Sequence, residues 1–191
     1  MTTFWWVRHG PTHQTAFTGW RDVPADLSDA AALERLNAAL PPGALVISSD
    51  LIRAVATADA LTGGRRRLPH DPRLREFDFG EWDGLTFDEV ARREPELSER
   101  YWSEPGTAAP PGGESWNDAA ARVGTAVAAL AGAHPGADIV AVAHIGVILT
   151  QLGAARGEPP STTIAQHIRP LSLTRIRPDD PAGIGPVDHC P

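Results

Sequence analysis

Phe4-Trp5-Trp6-Val7-Arg8-His9-Gly10 is an unbroken apolar run that meets an arginine, a histidine and then a glycine. Its continuous hydrophobicity predicts a strand buried on both faces, which stops where Gly10 turns the chain. A second run, Asp138 to Ala143, ends in the same way at His144-Ile145-Gly146, and Ala44 to Ser48 reads as a third buried strand. Helical periodicity fills the intervals. Ser28 to Leu40 repeats Leu33, Leu36 and Leu40 behind Ser28 as a cap, and Pro41-Pro42-Gly43 stops it. Ser49 caps a second helix running to about Leu61, with a stripe of Leu51, Val55, Ala58 and Leu61 that places Arg53 in its first turn.

Further along, Thr86 and Glu89 have capping-box spacing ahead of a short helix, and Ser115 and Asp118 carry the acidic variant ahead of Ala119 to Ala131. A helix from about Gly146 to Leu152 follows the second histidine, and Leu171 to Ile176 alternates as an outer strand would. Strands alternating with helices imply an α/β three-layer sandwich, a largely parallel central sheet with helices on both faces. The chain divides as one domain over residues 1–177, with a lid at about 82–113, and a Pro/Gly-rich tail over 178–191 expected to be poorly ordered.

Composition narrows the chemistry. The chain has 191 residues, enough for a single core. No apolar run is long enough to span a bilayer, and Met1 to Val7 lacks the basic head and cleavage site of a signal peptide, so a cytoplasmic protein is expected. The net charge of -7 argues against nucleic acid or an anionic membrane as a partner. All 17 basic residues are arginine, which excludes Schiff-base chemistry and the lysine-ended phosphate loop. Arg65-Arg66-Arg67 reads as a solvated charge run, and the histidines at 9 and 13 as a strand end and loop rather than a helical zinc pair. The single cysteine, Cys190, has no arginine six positions later, and no strand ends in Asp-x-Asp, so cysteinyl- and aspartyl-phosphate routes lack their nucleophiles.

What remains is histidine and arginine at strand ends. In open α/β sheets ligands bind beyond the carboxyl ends of strands, so His9 and His144 are placed to face one crevice. Arg8 and Arg53, the latter beside the free amides of a helix start, complete a pocket for a dianion.

These residues resemble the histidine phosphatases, a family that includes the cofactor-dependent phosphoglycerate mutases. Arg8-His9-Gly10 looks like its signature triplet, followed by a similar loop at Phe17 to Asp22 and Asp26-Leu27-Ser28. Ser48-Ser49-Asp50-Leu51-Ile52-Arg53-Ala54 with Thr57-Ala58 resembles its second arginine motif. Leu74-Arg75-Glu76-Phe77 through Gly84 resembles its acid loop, and Gly113-Glu114-Ser115 with Arg122 its third segment.

The resemblance implies that a neutral His9 attacks phosphorus, that Arg8, Arg53 and His144 bind the non-bridging oxygens, and that Glu76 enters protonated to serve the leaving group. It implies no metal and no cofactor. Three positions depart from the family pattern. Pro11 replaces an acidic residue, Thr15 an asparagine that touches phosphate, and Ile145 a glycine, which narrows the pocket. Thr18 and Gly19 are expected to replace the lost contact through hydroxyl and backbone amide. A small phosphate ester is the expected partner, and Phe87, Tyr101 and Trp102 in the lid suggest one with an apolar or ring-bearing group. A phosphoglycerate mutase and a non-catalytic phospholigand-binding module are the alternatives. Isomerisation outpacing hydrolysis marks the first, and binding without turnover the second.

Overall fold

The computed structural model describes residues 1–191, the side chain of Pro181 excepted. Five strands form one sheet in the order β3-β2-β4-β1-β5, namely β1 Thr3–Arg8, β2 Leu45–Ser48, β3 Arg66–Arg67, β4 Asp138–Ala143 and β5 Leu173–Ile176. The first four run parallel, and β5 pairs antiparallel with β1 at the edge.

Side-chain alternation along these strands divides the core in two. Phe4 and Trp6 of β1, with Ile139, Ala141 and Ala143 of β4, pack against α5 Trp116–Ala133 and α6 Ile145–Arg156. Val7, Val46, Val140 and Val142 point the other way, into α1 Ala30–Ala39 and α2 Ile52–Thr62 through Leu36, Ala54, Ala58 and Leu61. The three-layer α/β architecture is present. The chain leaves β1 over one face toward β2, and leaves β4 over the other toward β5. The carboxyl ends of β1 and β4 therefore flank a crevice at the topological switch point.

Several local expectations need revision. The cap of α1 is Asp29, whose side chain accepts from Ala32 N, rather than Ser28. The Ser28 amide is itself held by Asp26 Oδ1 at 2.9 Å. Ser49 does not cap α2, which begins at Ile52 behind Leu51 without a side-chain cap. The Ile52 amide instead donates to Asp22 Oδ1 at 2.7 Å, a partner thirty residues upstream that no local pattern announces. The capping boxes at Thr86/Glu89 and Ser115/Asp118 form as read. Helix α6 outruns its expected end at Leu152 and stops where Gly157 turns left-handed at φ 66°. Arg65 is not solvated charge, because its guanidinium donates to the carbonyls of Asn37 in the last turn of α1 and of Leu40 and Pro41 just past it.

The lid carries two helices, α3 Phe87–Arg93 and α4 Pro95–Ser103, where one was expected. Pro95 sits in the first turn of α4, where its missing N–H leaves no bond unmade. The lid folds over a small core of its own, Phe17, Trp82, Val90, Tyr101 and Ala108. Beyond Arg177 the tail turns back along β5. Leu173 and His189 exchange backbone hydrogen bonds of 2.8 and 3.0 Å, and Arg169 pairs with Asp188 at 2.8 Å. Among the described residues no helix is long and apolar enough to cross a membrane.

The revised cap gives a direct test by urea unfolding. Asp29→Ala should lose about 1 kcal/mol of stability, whereas Ser28→Ala should stay within about 0.5 kcal/mol of the parent.

Candidate active site

Arg8 of β1 is paired in register with Ala143 of β4, so the residues that follow them leave the sheet at one level. Those residues are His9 and His144, whose ring centroids lie 5.1 Å apart. Both are buried, His9 at 6% exposure and His144 at 0%.

The His9 ring is held in one tautomer. Its Nδ1 lies 2.7 Å from the Gly10 carbonyl, which can only accept, so Nδ1 carries the proton and Nε2 keeps its lone pair. The Gly10 amide donates to Thr57 Oγ1 at 3.0 Å, and that hydroxyl donates to the Arg53 carbonyl at 2.7 Å. Helix α2 thus sets the turn that sets the ring. Burial, then the positive charges of Arg53 and Arg8, push the His9 pKa down to about 3, so the imidazole is neutral at physiological pH.

His144 has the opposite tautomer. Arg53 Nε donates to its Nδ1 at 3.3 Å, and since a guanidinium cannot accept, the ring proton sits on Nε2 and is given to Ser49 Oγ at 2.8 Å. Burial first, then Arg53, holds this imidazole well below the usual histidine range. Arg53 is 1% exposed. Its fork is locked by the Gly19 carbonyl at 2.6 Å and the Arg21 carbonyl at 3.0 Å, so the loop after β1 positions it. Arg8 donates through Nη1 to the Ile168 carbonyl at 2.6 Å, while its buried Nε has no hydrogen-bond partner among the described residues. A half-buried guanidinium with an idle, buried N–H is suited to an anion.

Glu76 faces these cations from the acid loop at 4% exposure. Its Oε1 accepts from Phe77 N at 3.1 Å and its Oε2 from Gly146 N at 3.3 Å. Burial raises its pKa, against the opposing pull of those amides and of Arg53 and Arg8. Its backbone is clamped as well, the carbonyl accepting from Trp20 Nε1 at 2.8 Å and Arg122 Nη2 at 3.2 Å. Arg122 is in turn paired with Glu114, both at 2.7 Å, which gives the third segment a structural duty behind the acid.

Arg8, His9, Thr15, Thr18, Arg53, Glu76 and Ile145 all line one cavity of about 390 Å³. His144 lies behind that lining, against His9 and Arg53. Gly19 does not line it. Its amide, expected to meet the substrate, donates to Asp83 Oδ1 at 3.2 Å, and the position needs glycine because a Cβ would strike the Phe77 carbonyl. His13 pairs with Asp26 at 2.9 Å in the exposed loop. Reading the sequence missed three supporting groups, Ser49, Thr57 and Gly146. Ser49 has the local pattern of a helix cap but serves His144, and at Gly146 a Cβ would collide with Glu76 Oε1, a long-range contact that leaves no local signal.

Histidines kept neutral by the fold make stability depend on pH in a definite direction. Below the usual histidine pKa of about 6.5 the unfolded chain takes up protons that the folded state refuses, so stability present at neutrality is lost as the pH falls. The urea midpoint should decline between roughly pH 7 and pH 5, above the carboxylate range, and decline less in His9→Gln.

The model of the histidine phosphatase superfamily (branch 1) matches residues 4–183. The bifunctional protein Rv2228c of Mycobacterium tuberculosis is 36% identical over 159 residues, 82% of this chain and 41% of that protein, so the chain spans about two-fifths of its length. A glucosyl-3-phosphoglycerate phosphatase of the same organism is 37% identical over 158 residues, covering 74% of this chain and 70% of the relative. Among solved structures, YhfR of Bacillus stearothermophilus superimposes with a TM-score of 0.84 at 29% identity, over 93% of this chain and 91% of that one. With two strand-end histidines beside Arg8 and Arg53 and a family match along nearly its whole length, the chain belongs to the histidine phosphatase superfamily.

Proposed function

We propose that the protein hydrolyses a small phosphomonoester through a phosphohistidine at His9. The observation that carries this reading is the state of that ring, neutral, with Nδ1 tied to Gly10 and Nε2 without a hydrogen bond among the described residues, beside Arg8 and Arg53. A nucleophile at phosphorus needs a free lone pair and cations that hold the charge of the transferring group.

In the first step His9 Nε2 forms a bond to phosphorus as the ester P–O bond breaks, and Glu76 gives its proton to the departing alkoxide. In the second, water attacks the phosphohistidine, the N–P bond breaks, and the water proton returns to Glu76. Burial equips Glu76 for this, since it favours the protonated acid before substrate arrives. Arg8 Nε and the outward edge of Arg53 bind phosphoryl oxygens. His144 stands behind them and orients Arg53, its Nδ1 accepting from Arg53 Nε at 3.3 Å. Thr15 and Thr18 border the same space and supply hydroxyl contacts in place of Gly19.

Purified protein should release phosphate from a phosphomonoester panel in the presence of a chelator. His9→Ala should reduce that rate by at least about a thousandfold. Acid quenching of the wild type during turnover should trap no label, while alkaline quenching traps an acid-labile phosphoenzyme that the variant lacks. Activity surviving in His9→Ala would refute the assignment. Glu76→Gln should slow an alkyl ester by roughly a hundredfold or more, yet slow a 4-nitrophenyl ester much less, because the nitrophenolate departs without a proton.

A further inference from the structure

The cavity reaches well past the space a phosphoryl group needs. Of the residues that line it, only Arg8, Arg53 and Glu76 carry formal charge, and these three interact with one another around His9 at the inner end. The outer part has no further guanidinium and no further carboxylate. It is walled by Phe87, Tyr101 and Trp102 from the lid and by Ile145 and Leu149 from α6, with the neutral side chains of Gln14 and Thr15 along one flank.

Packing of the lid does not account for all of these rings. Trp82 and Tyr101 fill the lid core at 1% and 5% exposure, whereas Phe87 and Trp102 keep 52% and 44% of their surface open. The two stand edge to face at 5.9 Å, and Phe87 meets Phe17 at 4.6 Å, so they form a rigid apolar wall at the mouth of the cavity. Apolar surface left in water beside a catalytic pocket gains free energy when a ligand covers it. A carboxylate on the leaving group would meet the reverse situation, losing water near Glu76, while the Arg21 guanidinium behind the Gln14 and Thr18 flank is already paired with Asp83 at 3.5 Å.

Resting on the phosphatase reading above, we propose that the site selects phosphomonoesters whose leaving group is uncharged and apolar or ring-bearing, and discriminates against phosphorylated sugar acids such as phosphoglycerate. Phe87 and Trp102 are the specificity-determining residues, and Ile145 closes the inner side of their chamber.

The test compares two alkyl esters, so that leaving-group reactivity does not decide the result: 2-phenylethyl phosphate and 3-phosphoglycerate. The wild type should favour the first in kcat/KM by about tenfold or more, mostly through KM. Trp102→Ala, at a half-open position that the fold tolerates, should shrink that ratio, and Trp102→Arg, which supplies the missing cation, should shrink it further by improving 3-phosphoglycerate. Calorimetric affinities of the same two esters for His9→Ala give a readout independent of turnover. Equal or better use of 3-phosphoglycerate, or a ratio unmoved in both Trp102 variants, would overturn the proposal. A wild type that hydrolyses neither ester while His9→Ala binds the phenylethyl ester more tightly would overturn the hydrolytic reading and uphold the apolar chamber.

Discussion

Everything in the site depends on the parallel pairing of β1 with β4. Because Arg8 lies opposite Ala143, the next residue on each strand emerges at the same height, and two histidines more than 130 positions apart in the chain come to 5.1 Å. A slip of one residue would turn one imidazole to the opposite face of the sheet. The double-sided core resists such a slip, since Phe4, Trp6 and Val7 would each exchange one helical layer for the other.

Once assembled, the pocket is governed by burial. Desolvation acts on all its ionisable groups together. It keeps His9 and His144 neutral and raises the pKa of Glu76, and it lowers the pKa of Arg8 and Arg53, which nevertheless stay charged because guanidinium titrates so high. The outcome is a cavity whose net charge is positive before an anion enters. Backbone carbonyls from Gly19, Arg21 and Ile168 hold the guanidiniums without neutralising them. A carboxylate in the same places would have cancelled the charge the site needs.

Around this centre runs a second tier of contacts that fixes geometry. Thr57 links α2 to Gly10, Ser49 Oγ accepts the hydrogen bond from His144 Nε2, and Arg122 joins Glu114 to the acid loop. Each connects segments remote in sequence, so the catalytic geometry is a property of the whole domain. The lid is different. It packs its small core around Phe17 of the loop after β1 and supplies apolar surface to the outer part of the cavity.

The strand ends and the residues that stand on them are readable from local pattern alone. Short apolar runs bounded by turn residues mark the buried strands, the capping boxes at Thr86 and Ser115 mark two helix starts, and an arginine-only cation set restricts the anion chemistry. Arg8, His9, Arg53 and His144 stand at strand and helix ends that local patterns mark, whereas Glu76 was picked out by the resemblance of its loop. Which loop atoms remain available depends on how the segments pack. The Gly19 amide is taken by Asp83, Ser49 turns from a helix end to an imidazole, Asp22 caps a helix from thirty residues away, and the tail pairs with β5. Hydrogen-bond partners of this kind are chosen by proximity after the sheet has formed, and proximity between distant segments has no period, spacing or composition to betray it.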